Sequence, residues 1–274
     1  MEKQGELNKV DSCESIGGSD EGVTDAPSKK KREKKPQVCL DPWFERYGVT
    51  SEETETTMFY QIGVDEVGRG PLFGRVYTAA VSLPSPYSEQ GKCFDYTLLK
   101  DSKKFCSIKK INEVADYIKC NALSWCVTYK SEDVIDNINI RQSVLTSMHE
   151  SITGCVKNIN KREDKENKEI FLLVDGNDFK SYIYLNNKDE LQSIPHSCIE
   201  GGDNKYCAIA AASILAKVER DKYIEELCNE HPELDEKYGL IKNKGYGTKK
   251  HIEGIKQFGI SDWHRKTYGI CSRY

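Results

Sequence analysis

Apolar and polar positions change their period several times along this chain, and each change marks an element. Phe59–Asp65 (FYQIGVD) is a short, mostly apolar run ending in acid, as a buried strand would be. A glycine-rich turn follows, and Val76–Leu83 reads as a second strand in a hairpin-like relation to the first. Ile108, Ile111, Val114, Ala115 and Ile118 fall on one helical face, which predicts a helix over Ile108–Cys120. Leu123–Tyr129 reads as a strand, Ile138–Val156 as a long amphipathic helix, and Lys157–Lys168 as a charged loop. Ile170–Asp175 (IFLLVD) has the continuous apolar character of a central strand, again ending in acid. An alanine-rich helix is expected over Asn204–Cys228, a turn over Lys244–Thr248 and a further helix over Lys249–Phe258. Strands first, then helices alternating with strands, predict an α/β layered fold with a helical C-terminal addition.

Before residue 56 the periodicity disappears. Met1–Ser28 is acidic and carries no hydrophobic period, so it buries too little surface to offset the entropy of ordering. The run Lys29–Lys35 reads equally as a nuclear address, a phosphate-binding arm or a solvated linker. Val38–Tyr47 holds Trp43 and Phe44 and is expected to dock on the folded part. The expected organisation is a weakly ordered tail over residues 1–55 and a folded domain over residues 56–274.

Composition narrows the classes. An apolar share of 38% agrees with a disordered portion beside an ordinary core. No stretch of about 18 apolar residues is present, so no membrane helix is expected. The first ten residues are charged and lack the apolar centre of a secretory signal. Eleven cysteines lie between Cys13 and Cys271 without a C-x-x-C pair, which fits reduced, mostly packed thiols better than zinc or disulfides. Cytoplasm is the expected compartment, with the nucleus as the alternative that Lys29–Lys35 raises. The net charge of −4 argues against a nucleic-acid partner until its distribution is considered. From Ile241 to Tyr274, eight Lys/Arg stand against Glu253 and Asp262, a local balance of +6. Screening confines such interactions to roughly 8–10 Å, so a local basic face matters more than the sum.

The candidate chemistry lies at the strand ends. Asp65 and Glu66 close the first strand, and neighbours on a strand point to opposite faces. Both reach one ion only if the chain bends, and Gly68, Gly70 and Pro71 supply the bend. Arg69 between the glycines can make charge-assisted hydrogen bonds. Asp175, followed by Gly176, closes the central strand, and ligands of α/β sheets gather beyond such ends. Ser213, Lys217 and Asp221 recur every four residues, forming one polar stripe on the alanine-rich helix. Taken singly, these are a polar turn, an Asp-Gly turn and an exposed Lys–Asp pair worth a few tenths of a kcal/mol. Taken together, Asp65, Glu66, Asp175 and Asp221 would repel one another unless cations compensate. Mg²⁺ or Mn²⁺ is the expected cofactor, because both accept oxygen ligands.

The segments GVDEVGRGPLFG, LLKDSKKF, LLVDGN, GGDNKYCAIAAASILAKVERD and KGYGTKKHIEGIKQFGISDWHRKTYG occur in this order over roughly residues 58–270. This succession resembles the motifs of the type 2 ribonuclease H family, its bacterial ribonuclease HII branch in particular. The resemblance implies a ribonuclease H-like fold, with a central mixed sheet flanked by helices. It implies an endoribonuclease that cuts the RNA strand of RNA–DNA hybrids and incises ribonucleotide-containing DNA, working as a monomer. It assigns Asp65, Glu66, Asp175 and Asp221 as the catalytic, metal-binding acids. Gly68, Arg69, Gly70 and Tyr246 are assigned to the ribose 2′-OH, the group that separates RNA from DNA. Lys103, Ser213 and Lys217 are expected at phosphates, while His251 and His264 match family positions without a catalytic role. Arg75 departs from the family, which usually has proline there; it is either a phosphate contact or a surface residue. Two other functions stay open on the residues alone: a non-catalytic hybrid-binding protein, and another nuclease or integrase-like enzyme on the same fold.

Overall fold

The first apolar run extends on both sides of its predicted bounds into strand β1 (Thr57–Val67), buried from Tyr60 to Asp65. The computed structural model describes residues 39–45, 57–163, 167–185 and 190–274. The expected acidic tail and the Lys29–Lys35 run lie outside these described residues. In chain order β1 is followed by β2 (Val76–Ser82), α1 (Glu89–Lys92), α2 (Ile108–Asn121), β3 (Ser124–Lys130), α3 (Glu132–Asn160) and β4 (Asn167–Asp175). Then come β5 (Ile183–Leu185), β6 (Leu191–Ser193), β7 (His196–Ile199), α4 (Cys207–Glu230), α5 (Pro232–Tyr238), α6 (Leu240–Asn243) and α7 (Lys249–Phe258).

Five strands form a mixed sheet in the order β3-β2-β1-β4-β7, while β5 and β6 pair separately. β1 runs antiparallel to β2 and parallel to β4, and β4 is parallel to β7. One apolar core, with Ala79, Ile111, Ala211 and Leu215, fills the space between the sheet and the α2–α4 layer. A second, with Ile62, Val64, Met148 and Ile152, lies between the opposite face and α3. Helices cover both faces of the sheet, as the α/β expectation required.

Several boundaries differ from the sequence reading. α3 begins at Glu132 rather than Ile138, because Ser131 caps it by accepting the Val134 N–H and two acids occupy its first turn. Asn139 interrupts the helix at φ 63°, close to where the apolar period begins. β4 starts inside the expected charged loop, and α5 was not anticipated despite proline at its start and a left-handed Gly239 at its end. Residues 39–45 of the expected tail belong to the fold. Asp41 exchanges backbone hydrogen bonds with Lys205 and Cys207 at 2.8 and 2.9 Å, and Phe44 stacks on Phe171 at 5.7 Å. The ten described cysteines are free thiols, but five are exposed and four buried, so packing does not account for most of them. Among the described residues no helix is long and apolar enough to cross a membrane.

The contact that positions the carboxylate-bearing end of the sheet is between β1 and α4. A Cβ on Gly63 would lie 2.1 Å from the Ala208 carbonyl carbon, so only glycine lets the helix backbone come this close. Gly63→Ala is therefore expected to cost about 3 kcal/mol, which lowers the melting temperature by roughly 6–12 °C. A thermal melt within 1 °C or so of wild type would mean that α4 can move away freely.

Candidate active site

The parallel register of β1 with β4 pairs Val64 with Val174, and one step further brings Asp65 level with Asp175. Side chains alternate along a strand, and Val64 and Val174 face α3. Asp65 and Asp175 consequently face α4, the helix that Gly63 admits so closely. Asp65 is 5% exposed and accepts the Glu66 N–H at 2.7 Å. Burial, reinforced by the charges of Glu66 and Asp175, holds its carboxyl well above the usual range, although Ser213 and the Glu66 N–H work against this. Glu66 is pushed up by burial and by Asp175, against the pull of Arg69, whose guanidinium stands 3.5 Å away. Asp175 is raised chiefly by burial and further by Asp203, while the Gly202 N–H donates to its Oδ1 at 2.7 Å.

Two acids that the sequence reading passed over join this end of the sheet. Asp203 and Asp101 are buried, and Asn204 Nδ2 donates to both, at 3.1 and 3.3 Å. The Lys103 ammonium lies 3.7 Å from Asp203 and feels the charges of Asp101, Asp65 and Asp175 as well. Its side chain is 80% exposed, so it can swing away without losing a packed environment.

Asp221 lies elsewhere on α4. Eight residues beyond Ser213, it is about 12 Å further along the helix axis. Its carboxylate accepts the Lys217 ammonium at 2.8 Å, on the wall of a groove that also contains Phe105, Ile108 and Ile111. The polar stripe therefore has two unlike ends. Ser213 is buried, bonds Ser102 at 3.0 Å and acts on Asp65, whereas Lys217 and Asp221 are half-buried at the rim. Among the described residues no three Asp, Glu, His or Cys side chains converge into a finished metal cage. Oxygen donors that are desolvated and mutually repelling nevertheless suit a hard divalent cation, whose charge would offset both costs.

The glycine-rich turn after β1 is held from within by arginines. Arg265 is fully buried and donates to the carbonyls of Gly68, Arg69, Pro71 and Gly74 at 2.7–3.1 Å. Burial pulls its guanidinium down to about 10, which still leaves it charged at neutral pH. Arg220 does the same for the carbonyls of Phe73, Arg75 and Lys244, and Gly68 (φ 93°) packs on its side chain. Arg265 thus contributes nothing to an exposed basic face, and Lys244, largely covered, pairs with Glu225 at 2.7 Å. The local excess of cations in this segment overstated its surface charge.

Tyr246 stands beside this turn, with its ring 3.8 Å from where a Gly70 Cβ would be, and is 49% exposed. A chain of hydrogen bonds anchors its backbone. The Ser261 N–H donates to His264 Nδ1 at 2.9 Å, which places the His264 proton on Nε2. That proton points at His251 Nε2, 3.1 Å away, and leaves His251 Nδ1–H to donate to the Tyr246 carbonyl at 3.0 Å. Both imidazoles are neutral in this arrangement. Burial lowers each, and His264 falls to about 3. An unfolded histidine takes up its proton below 6.5, whereas folded His264 resists down to about 3. Stability contributed by this group is complete above pH 6.5 and declines by about 1.4 kcal/mol per pH unit as acid is added through that window. Denaturant melts from pH 7 to 4.5 should show a shallower pH slope for His264→Gln than for wild type. Equal slopes would exclude the buried pair as its source.

A family model described as Ribonuclease HII matches residues 62–271. The chain belongs to the ribonuclease HII family. The Parabacteroides distasonis ribonuclease HII is 39% identical over 210 residues, covering 77% of this chain and 90% of that protein. The Cytophaga hutchinsonii ribonuclease HII is 38% identical over 208 residues, covering 76% and 88%. Among solved structures, ribonuclease H2 from Pyrococcus horikoshii OT3 superposes with a TM-score of 0.58 at 21% identity, covering 78% of this chain and 96% of that one. That likeness establishes the ribonuclease H-like fold. As a ribonuclease HII this chain is a hydrolase, an endoribonuclease acting on the RNA of RNA–DNA hybrids, and the family uses divalent metal ions.

Proposed function

We propose that Asp65, Glu66, Asp175 and Asp203 are the carboxylates that hold the divalent metal, Mg²⁺ or Mn²⁺, and that Asp203 takes the place which the sequence reading gave to Asp221. The observation that carries this assignment is geometric: Asp65 and Asp175 lie level near the ends of adjacent parallel strands, and the Gly202 N–H beside Asp203 donates to Asp175 Oδ1 at 2.7 Å. The raised carboxyls of Asp65, Glu66 and Asp175 agree with it. When bound, the metal supplies activation of a water and stabilisation of the leaving oxygen in phosphodiester hydrolysis.

The protein's own groups do the rest. Lys103, solvated but tethered to the acids, exchanges its pairing with Asp203 for a substrate phosphate as the duplex arrives. Ser213 orients Asp65 from α4, and Lys217, held by Asp221, contacts a phosphate at the groove rim. Gly68, Arg69 and Gly70 present backbone and guanidinium donors to the junction, and the Tyr246 hydroxyl reads the ribose 2′-OH. A reader of a single 2′-OH needs only one ribonucleotide, so the enzyme also incises DNA at isolated embedded ribonucleotides. All four acids and both sensing elements come from one chain, which supports action as a monomer. The cytoplasm is its proposed place of work, with the nucleus the alternative if Lys29–Lys35 serves as an address.

Three labelled duplexes test this reading with either metal: a full hybrid, a DNA duplex with one ribonucleotide, and an all-DNA control. Cutting of the first two alone is the expected result. Failure to cut the single-ribonucleotide duplex would remove the proposed role of Tyr246 and the glycine turn. Cutting of the all-DNA control would remove 2′-OH recognition altogether.

A further inference from the structure

Besides Arg69, which pairs with Glu66, three arginines lie close to the active end of the sheet, and one of them is bonded unlike the other two. Arg220 and Arg265 are buried, and each spends its donors on three or four backbone carbonyls. Arg75 is partly exposed and is clamped between two rings instead. Its guanidinium carbon stands 4.3 Å from the centre of the Tyr129 ring and 4.3 Å from that of Tyr223. Its Nε is buried without a hydrogen-bond partner, and among the described residues no carboxylate pairs with it. The hydroxyls of Tyr77, Tyr223 and Tyr129 are the polar groups that act on it, Tyr77 foremost. The nearby acids are engaged elsewhere: Glu132 accepts the Tyr223 hydroxyl at 2.8 Å, and Glu219 pairs with Lys119 at 2.6 Å.

A guanidinium covered on both faces can bond only through its edge, and that edge suits the oxygens of a phosphate. The rings also fix the side chain in advance, so less conformational entropy is lost when a ligand arrives. A purely structural arginine at this position would be expected to find carbonyls or a carboxylate, as Arg220 and Arg265 do.

Its place in the fold says which phosphate. Arg75 directly precedes β2, and β1 pairs with β2 through Val67 and Tyr77, so Arg75 lies at the same sheet end as Asp65 and Glu66. It sits on the far side of β1 from Asp175, because the order is β3-β2-β1-β4-β7. With strands about 4.8 Å apart, roughly 10–15 Å separates Arg75 from the middle of the acid cluster. At about 3.4 Å of axial rise per nucleotide, this is a span of a few nucleotides.

We propose that Arg75, clamped by Tyr129 and Tyr223, binds one backbone phosphate of the duplex a few nucleotides from the scissile junction. This inference rests on the hybrid-cutting function, because it needs a duplex lying across that end of the sheet. The site enlarges the footprint on the substrate in the direction of the exposed edge strand β3, where Tyr129 is 47% exposed.

The test is binding in metal-free buffer, with a DNA duplex holding one ribonucleotide and single phosphates replaced in turn by neutral methylphosphonates. Wild type should lose affinity at one position a few nucleotides from the ribonucleotide. Arg75→Gln should bind the unmodified duplex roughly 5–10-fold more weakly, be indifferent to that replacement, and show a salt slope smaller by about one. Tyr129→Ala, at an exposed edge where folding is not at stake, should reduce the effect at the same position. Wild-type Kd and salt slope in Arg75→Gln, or undiminished sensitivity at that phosphate in both variants, would overturn the inference while leaving the enzyme's function intact. Failure of wild type to bind the duplex at all would overturn the functional reading and the inference with it.

Discussion

Asp65→Asn is expected to abolish cleavage and, in metal-free protein, to raise the melting temperature. The two effects have one cause. Asp65 is 5% exposed, and burial, with Glu66 and Asp175 adding to it, keeps its carboxyl well above the ordinary range. A raised carboxyl means that its ionised form weakens the fold at neutral pH, where the unfolded chain would carry that charge at no cost. Asparagine has nearly the same shape and can still accept the Glu66 N–H, but carries no charge. The gain should be roughly 3–6 °C in metal-free buffer. Removing a metal ligand should cost at least about 10³-fold in kcat/KM on the hybrid. Added Mg²⁺ or Mn²⁺ should stabilise wild type more than the variant, because a cation that binds only the folded state raises its stability. A variant that melts below wild type without metal would contradict the electrostatic account, and one that cuts within tenfold of wild type would remove Asp65 from the mechanism.

The second large effect separates two acids of one motif. Asp203→Asn should reduce kcat/KM by at least about 10²-fold, whereas Asp221→Asn should stay within roughly tenfold of wild type. Asp203 is buried, is among the charges that push Asp175 up, and is the nearest carboxylate partner of Lys103. Asp221 is half-buried and neutralised by Lys217 at 2.8 Å. Its loss frees that lysine and should appear mainly in KM. Both variants should be assayed on the full hybrid with each metal. The opposite ranking would return Asp221 to the catalytic set and reduce Asp203 to a partner of Lys103.

Much of this protein follows from local pattern. β1, β2 and β4 are legible because strands buried on both faces read as apolar runs, and Asp65, Glu66 and Asp175 because acid at the end of such a run is conspicuous. The short β5, β6 and β7 carry three or four residues each, too few for a period to emerge. The start of α3 was concealed by polar residues and by Asn139, whose positive φ breaks the helical repeat.

What the sequence by itself determined is the set of layers, the order of the motifs and the family to which they belong, because these depend on residue spacing along the chain. Only the tertiary structure decided which charges lie near one another. In the motif GGDNKYCAIAAASILAKVERD both aspartates are plausible ligands. The close approach of α4 at Gly63 brings Asp203 to the strand ends and leaves Asp221 two turns along the helix at the rim. The same holds for the arginines: Arg75, Arg220 and Arg265 carry identical charge in the sequence. Folding gives two of them backbone carbonyls and leaves the third an open edge, since burial and partner geometry are properties of packing, not of spacing.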